Sequence, residues 1–449
     1  MRAIRTIRQE MMRQLLLHFE RPAESPICDN GGRIVSPADV LAETLGRQAS
    51  GRITEERLSP ESPASGPIDV VDLFSGCGGL SLGFEFVGRL VDSFRLQAAV
   101  DINPYAVATY SRNLPISASL LDLAVESRTE RALEALSAKL GIQRNRPLVL
   151  VGGPPCQGFS AHQKKNGPRR DERNHLITIF AKIAEFLEPD FVVLENVPEL
   201  LAERNWQLFE KLKARLSAKG YQVRAQIHNL AGFGVPQQRF RALVMASKRP
   251  FEMPQPYLQP EEYRTVREVI GSLPRSEPGS RSRLDPMHYC TNHRHSTVEV
   301  LRQVPKDGGT RPAGVGPVCL DKVDGFRDVY GRMYWDRPAN TITASARNPA
   351  SGRFAHPEQD RGLTIREAGL LQGFPKNFYF EGPFDDKFLQ IGNAVPPIFS
   401  CYLAAHVLGQ WLGEQKAEAK VLQFRSDVTI PTSNSFSSGI AGRKKWATR

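Results

Sequence analysis

From Ile68 onward, short apolar runs alternate with longer stretches of helical periodicity, and this alternation constrains the fold more than any other feature of the chain. The runs are IDVVDLF, LQAAV, ASLLDL, PLVLVGG and DFVVLENV. Between them lie LSLGFEFVG, PYAVATYSRN, ESRTERALEALSAKLG and HLITIFAKIAEFLEP. Strands that are apolar without interruption are covered on both faces, and strands that alternate with helices pair in parallel. The expected fold is therefore α/β, a mostly parallel sheet with helices on both faces. After the helix NWQLFEKLKARLSAKG, YQVRAQIHN and RFRALVMAS read as two more strands joined by the turn-rich LAGFGVPQQ, forming an antiparallel edge. Ligands sit beyond the carboxyl ends of the strands in such sheets. Asp101, Cys156 and Glu195 each fall there.

The chain's 449 residues, 41% of them hydrophobic, allow two or three units with real cores. Residues 1–66 read as an appendage, helical over about 2–19 and again after the N-cap Ser36 and Pro37, ending in the linker SPESPASGP. Residues 67–249 carry the α/β pattern. Over 250–335 that pattern gives way to frequent Pro, Gly, Arg and His, the mark of a separate irregular lobe. Order returns over 336–415 in NTITASA, TIREAGLLQGFP and AVPPIFSCYLAAHVLGQWLG, and 416–449 reads as a mobile basic tail. The net charge of +11 favours a polyanionic partner, most simply nucleic acid. No run of about 18 apolar residues occurs, so no membrane partner is expected. The N-terminus has no continuous apolar core or cleavage site of a secretory signal. Six scattered cysteines without a CxxC pair point to free thiols in a reducing cytoplasm.

The chemistry concentrates in a few stretches. DLFSGCGGLSLG is a glycine-rich turn opening a helix, followed roughly twenty residues on by Asp101 at the end of the next strand, suited to ribose hydroxyls. The third glycine position of a dinucleotide fingerprint holds Ser81 instead, so the loop suits an adenosyl ligand better than a pyrophosphate and disfavours a nicotinamide oxidoreductase. In GGPPCQGFS the prolines hold the chain extended past the fourth strand and release it at Cys156. A thiol there faces the crevice, and its thiolate is a strong nucleophile. The segment after it is polar and strongly basic, a flap suited to a polyanion. Gln157, Ser160 and Gln163, with the cations Lys164, Lys165, Arg169 and Arg170, are its candidate nucleic-acid contacts. Glu195, ending the next strand in VVLENVPEL, can hydrogen-bond a ring nitrogen when it holds a proton. Gln237, Arg239 and Arg241 alternate in VPQQRFRAL and are expected on one strand face. Cys290, His293 and His295 have no second cluster at zinc spacing, and no metal is expected.

Taken together and in this order, these motifs resemble the cytosine-C5 DNA methyltransferase family over about residues 68–410. DLFSGCGGLSLGFE resembles its cofactor loop, GGPPCQGFS its nucleophile motif, ENV its acid motif and QQRFR its paired-arginine motif. RPANTIT and QIGNAVPP resemble its late motifs, the last of which completes the cofactor site. The resemblance implies a Rossmann-like fold with S-adenosylmethionine as cofactor. Phe74, Asp101, Asp122, Pro155, Asn393 and Val395 would line its pocket, with Gly78 and Gly79 at the turn and Gly76, Cys77, Ile102, Leu123 and Leu176 completing the set. The family usually has Glu where Asp101 stands. The resemblance further implies Cys156, Glu195, Arg239, Arg241 and Gln237 as the catalytic set, acting on a base extruded from duplex DNA. The lobe at 250–335 falls where the family has its target-recognition region, and its Arg and His content suits phosphate and base-edge contacts. A microbial, restriction-modification type enzyme is implied, cytoplasmic and DNA-associated, monomeric on DNA, with a cognate restriction or repair endonuclease. The alternatives are the same chemistry on RNA, since a family branch modifies tRNA, and a non-catalytic nucleic-acid-binding relative.

Overall fold

The computed structural model describes residues 67–143, 145–155, 170–321 and 328–412. The helices expected within residues 1–66, the linker after them, the tail from 416, and Cys156 with the flap through Arg169 lie outside the described residues.

The first half is built as the periodicity predicts. β1 (Ile68–Leu73) leads through the glycine-rich turn into α1 (Gly79–Val91). β2 (Phe94–Asp101) and α2 (Pro104–Asn113) follow, then the short β3 (Ser119–Leu120), α3 (Leu123–Glu126) and α4 (Glu130–Lys139). β4 (Leu148–Gly152), α5 (Arg170–Leu187), β5 (Phe191–Asn196) and α6 (Trp206–Ala218) complete the alternation. Both faces of β1 are covered: Ile68 and Val70 join one apolar cluster, Val71 and Leu73 the other. That is the period of two for a strand between two helix layers.

β6 (Gln222–Asn229), β7 (Gln237–Gln238) and β8 (Phe240–Ser247) then depart from the simplest order. The seven-stranded sheet runs β3-β2-β1-β4-β5-β8-β6. β8 inserts antiparallel between β5 and β6, leaving β6 as the edge. An antiparallel strand starts where its parallel neighbours end. The first residues of β8 therefore lie at the carboxyl edge, Ala242 opposite Asn196 and Leu243 opposite Glu195. Strand order reverses between β1 and β4, the place where open α/β sheets hold their ligands.

The later residues form α7 (Val266–Ile270), α8 (His295–Gln303), β9 (Ala339–Asn340), α9 (Ile365–Gln372), α10 (Phe384–Asn393) and α11 (Pro397–Leu412). The stretch Phe384–Trp411 is apolar and long enough to cross a membrane, but the most apolar 18-residue window in it is 89% buried inside the fold. It is a core element, packed on α1 so closely that a Cβ at Gly83 would stand 2.3 Å from the Cys401 backbone nitrogen. The irregular lobe is held by buried guanidinium groups in place of regular ladders. Arg332, fully buried, donates to the carbonyls of Val304, His356 and Gln359 at 2.8–3.1 Å and to Leu301. Its small core joins Val300, Leu301 and Val304 to Tyr330 and Ala355, so packing crosses residue 335.

Candidate active site

The turn after β1 is shaped for close approach. Phe74 has φ 58°, Gly76 φ 53° and Gly78 φ 91°. Gly78 N-caps α1 with α2 against it, and an added Cβ would stand 2.4 Å from Leu114 Cδ1. Gly79 has no room either, since a Cβ would stand 2.2 Å from the Val395 carbonyl oxygen. Beside Gly76 there is open space instead. Asp101 borders it, with Oδ2 accepting the Gly76 N–H and Oδ1 the Asn103 N–H, each at 2.8 Å. Burial raises the Asp101 carboxyl's pKa, against the lowering effect of backbone N–H groups at Asn103, Gly76 and Ile102. Ile102 and Leu120, at the ends of β2 and β3, are 65% and 53% exposed. Uncovered apolar surface beside a carboxylate fits an adenosyl group, ring against the side chains and ribose against the acid.

The other expected cofactor residues divide by exposure. Asp122 is exposed and N-caps α3 by accepting the Ala124 N–H at 2.9 Å. Leu123 and Cys77 are buried, the Cys77 thiol 3.8 Å from the Gln390 carbonyl, so both can offer a ligand only backbone. Leu176, on α5, is partly buried against the second apolar cluster, as is Phe74. Pro155 is exposed past β4, and Asn393 is exposed at the end of α10. Ser81 explains the missing third glycine: it donates to Asp72 Oδ2 at 2.6 Å and accepts from the Tyr110 hydroxyl at 2.9 Å. Burial raises the Asp72 pKa to about 7.

Gly153 joins this cradle to the acid. A Cβ there would lie 3.7 Å from Val395 Cγ2 and 3.9 Å from Glu195 Oε2. Glu195 is buried at the end of β5, with Arg241 Nε 2.9 Å from its Oε1. The pairing follows from the register. Leu243 faces Glu195, and Arg241, two residues earlier, lies on the same face of β8 one diagonal step away. The contact is an ion pair without hydrogen-bond alignment, and Glu195 Oε1 accepts no hydrogen bond among the described residues. Asn196 turns the other way: its Nδ2 donates to the Pro154 carbonyl at 3.1 Å and its Oδ1 accepts the Val197 N–H at 2.8 Å. It braces the double-proline turn that leads to residue 156.

Gln237, Arg239 and Arg241 do not share one continuous strand face. The ladder breaks at Arg239: Gln237 belongs to β7, paired with β9 in a separate two-stranded sheet, while β8 starts at Phe240. Arg241 reaches Glu195, whereas Gln237 and Arg239 face segments near residues 342, 372 and 394. Sequence reasoning also passed over Gln372, whose Nε2 donates to the Ala394 carbonyl at 2.6 Å. Its one signal was a glutamine directly before the helix-ending Gly373, φ 92°. In the lobe, His293 Nε2 accepts the Gly362 N–H at 2.9 Å and Cys290 faces the Glu277 carbonyl.

The site thus joins a Rossmann-like sheet, a glycine-lined turn at its switch point and a buried carboxylate–guanidinium pair at the ends of β5 and β8. Residues 68–407 match the C-5 cytosine-specific DNA methylase family, and the chain belongs to that family. It is an enzyme of the DNA (cytosine-5)-methyltransferase class. A type II methylase of Herpetosiphon aurantiacus is 36% identical over 338 residues, covering 73% of this chain and 91% of that one. A type II methyltransferase of Haemophilus parahaemolyticus is 34% identical over 339 residues, covering 75% and 86%. Among solved structures, a putative DNA modification methyltransferase encoded within an E. coli prophage shares the fold. It aligns with TM-score 0.58 at 24% identity, over 77% of this chain and 99% of that one.

Proposed function

We propose that the enzyme methylates carbon 5 of a cytosine extruded from duplex DNA, with Cys156 as nucleophile and S-adenosylmethionine as methyl donor. The observation that carries this reading is the buried Glu195–Arg241 pair, set so that a Cβ added at Gly153 would reach both Glu195 Oε2, at 3.9 Å, and Val395 Cγ2 on the cofactor cradle, at 3.7 Å. The cradle suits the donor's chemistry: open space at Gly76, a ribose-accepting carboxylate at Asp101 and uncovered apolar surface at Ile102 and Leu120. Asp101, Ile102, Asp122, Asn393 and Val395 would hold it. When bound, it supplies an electrophilic methyl group.

Carbon 5 of cytosine is a weak nucleophile. Addition of the Cys156 thiolate to carbon 6 breaks the ring's aromaticity and gives carbon 5 enamine character. Glu195, holding a proton, donates a hydrogen bond to ring N3 and so stabilises the electron density that the addition pushes there. Arg241 holds the Glu195 carboxyl in place and presents cationic charge to the ring oxygen. Once carbon 5 is substituted, loss of its proton returns the electron pair to the ring and expels the thiolate from carbon 6. Asn196 keeps the Pro154–Pro155 turn aligned for the approach. Extrusion of the base costs a few kcal/mol, offset by contacts in the pocket and along the flap.

The relatives' type II names support a sequence-specific modification enzyme with a cognate endonuclease. Residues 250–335 would read the site, and the flap cations Lys164, Lys165, Arg169 and Arg170 would meet phosphates. The test is transfer of tritium from labelled S-adenosylmethionine to duplex DNA or to tRNA, by the wild type and by Cys156→Ala. Label in DNA that the variant loses supports the proposal. Equal labelling by the variant removes Cys156 as nucleophile, and label in tRNA alone moves the substrate to RNA.

A further inference from the structure

Two side chains of the arginine motif, Gln237 and Arg239, are committed away from the Glu195–Arg241 pair. Arg239 is fully buried and donates from Nη1 to the Ile342 carbonyl at 3.0 Å and from Nη2 to the carbonyls of Gly392 and Ala394 at 3.0 and 3.1 Å. Gln372, ending α9, donates to the same Ala394 carbonyl at 2.6 Å. Its Oε1 accepts from Gln237 Nε2 at 2.7 Å, and Gln237 Oε1 accepts the Ile342 N–H at 2.8 Å. Arg239 Nε is enclosed without a hydrogen-bond partner among the described residues.

We propose that Arg239 and Gln372 are positioning residues for the methyl donor's pocket, which they build by pinning the Gly392–Val395 turn against Gly79. The inference rests on the assignment of that pocket to S-adenosylmethionine. The last carbonyls of a helix have no partner inside it and carry partial negative charge. Gly392 lies in the last turn of α10, so the Arg239 guanidinium acts there as a buried C-terminal cap. Ala394 is extended, φ −64° and ψ 144°. Its carbonyl is drawn inward by two donors, Arg239 and Gln372. Its neighbours flank the cleft instead: Asn393 is exposed, and Val395 lies between Gly79 and Gly153. The Val395 carbonyl presses on Gly79 where no Cβ fits, so a small displacement of the turn reshapes the cradle directly. Arg241 bears on the Glu195 carboxyl and Arg239 on the cofactor wall, so the motif's arginines serve different substrates.

The test is equilibrium dialysis of tritiated S-adenosylmethionine, without DNA, against the wild type, Gln372→Leu and Arg239→Lys. Thermal melting establishes which variants are folded. Loss of one hydrogen bond holding the turn is expected to raise Kd about tenfold for Gln372→Leu. Arg239→Lys is expected to weaken binding at least as much, because an ammonium cannot span three carbonyls as a fork does. A purely structural role would lower the melting temperature and leave the folded protein's Kd unchanged. Wild-type Kd in folded Gln372→Leu overturns the inference, even if Arg239→Lys does not fold. A wild type that binds no S-adenosylmethionine overturns the functional reading itself, a result distinct from the first.

Discussion

Asn196→Ala tests whether the double-proline turn is held for catalysis. The change deletes two hydrogen bonds, Nδ2 to the Pro154 carbonyl at 3.1 Å and Val197 N–H to Oδ1 at 2.8 Å. Each is worth about 1 kcal/mol net, and a buried carbonyl left without a donor costs about 1–3 kcal/mol, so a loss of roughly 2–4 kcal/mol is expected in urea unfolding. The kinetic effect comes from geometry. A misplacement of about 1 Å at a reacting group can cost about 100-fold in rate. Single-turnover methylation at saturating DNA and S-adenosylmethionine is expected to slow by about that factor. Asn196→Asp sharpens the comparison. It is nearly isosteric and keeps an acceptor for Val197, but it sets a carboxylate oxygen against the Pro154 carbonyl with no hydrogen between them. It should be slower than Asn196→Ala. Wild-type single-turnover rates in both folded variants would refute the brace.

Three further outcomes follow from the packing and the buried charges. Gly79→Ala places a methyl 2.2 Å from the Val395 carbonyl oxygen and is expected to abolish S-adenosylmethionine retention in equilibrium dialysis, with the protein still folded by circular dichroism. Glu367→Ala strands the fully buried Arg361, whose Nη1 and Nη2 each donate to that carboxylate at 2.7 Å. It should destabilise the chain by about 3–5 kcal/mol in urea unfolding, where an unchanged midpoint would contradict the pairing. Burial lowers the pKa of His228, His293 and His356 to about 4, from an ordinary 6.5. Between those values the unfolded chain binds more protons than the folded one. Stability is therefore full above about pH 6.5 and falls as pH drops towards 4, by up to about 3 kcal/mol for each of the well-buried His228 and His356 and by less for the partly exposed His293, where solvent screens the charge. Urea midpoints that stay flat from pH 7 to 4.5 would contradict this.

The parallel half of the sheet was legible because strands such as β4 and β5 are buried on both faces, which only an unbroken apolar run satisfies. The insertion of β8 between β5 and β6 was not, because strand order is decided by long-range pairing and both strands read alike locally. That insertion brings Arg241 to Glu195, so the pair was predictable by residue type and not by register. The alternation of Gln237, Arg239 and Arg241 misled because it assumed one strand, whereas the ladder breaks at Arg239. The partners of Arg239 lie 103 to 155 residues away, and no local pattern encodes such contacts. Ser81 was read only as a missing glycine, although its hydroxyl donates to one carboxylate oxygen of the buried Asp72. In the irregular lobe, arginine content suggested phosphate contacts, but Arg332 is spent inside, holding carbonyls that have no ladder to join.

In the proposed reaction a cysteine adduct forms on the extruded cytosine. Duplex DNA carrying 5-fluorocytosine at the target has no removable proton on carbon 5, so the adduct cannot resolve. With S-adenosylmethionine present, a stoichiometric protein–DNA complex is expected that survives denaturing electrophoresis and is absent with Cys156→Ala. A wild-type enzyme that methylates ordinary DNA yet forms no such complex would contradict it.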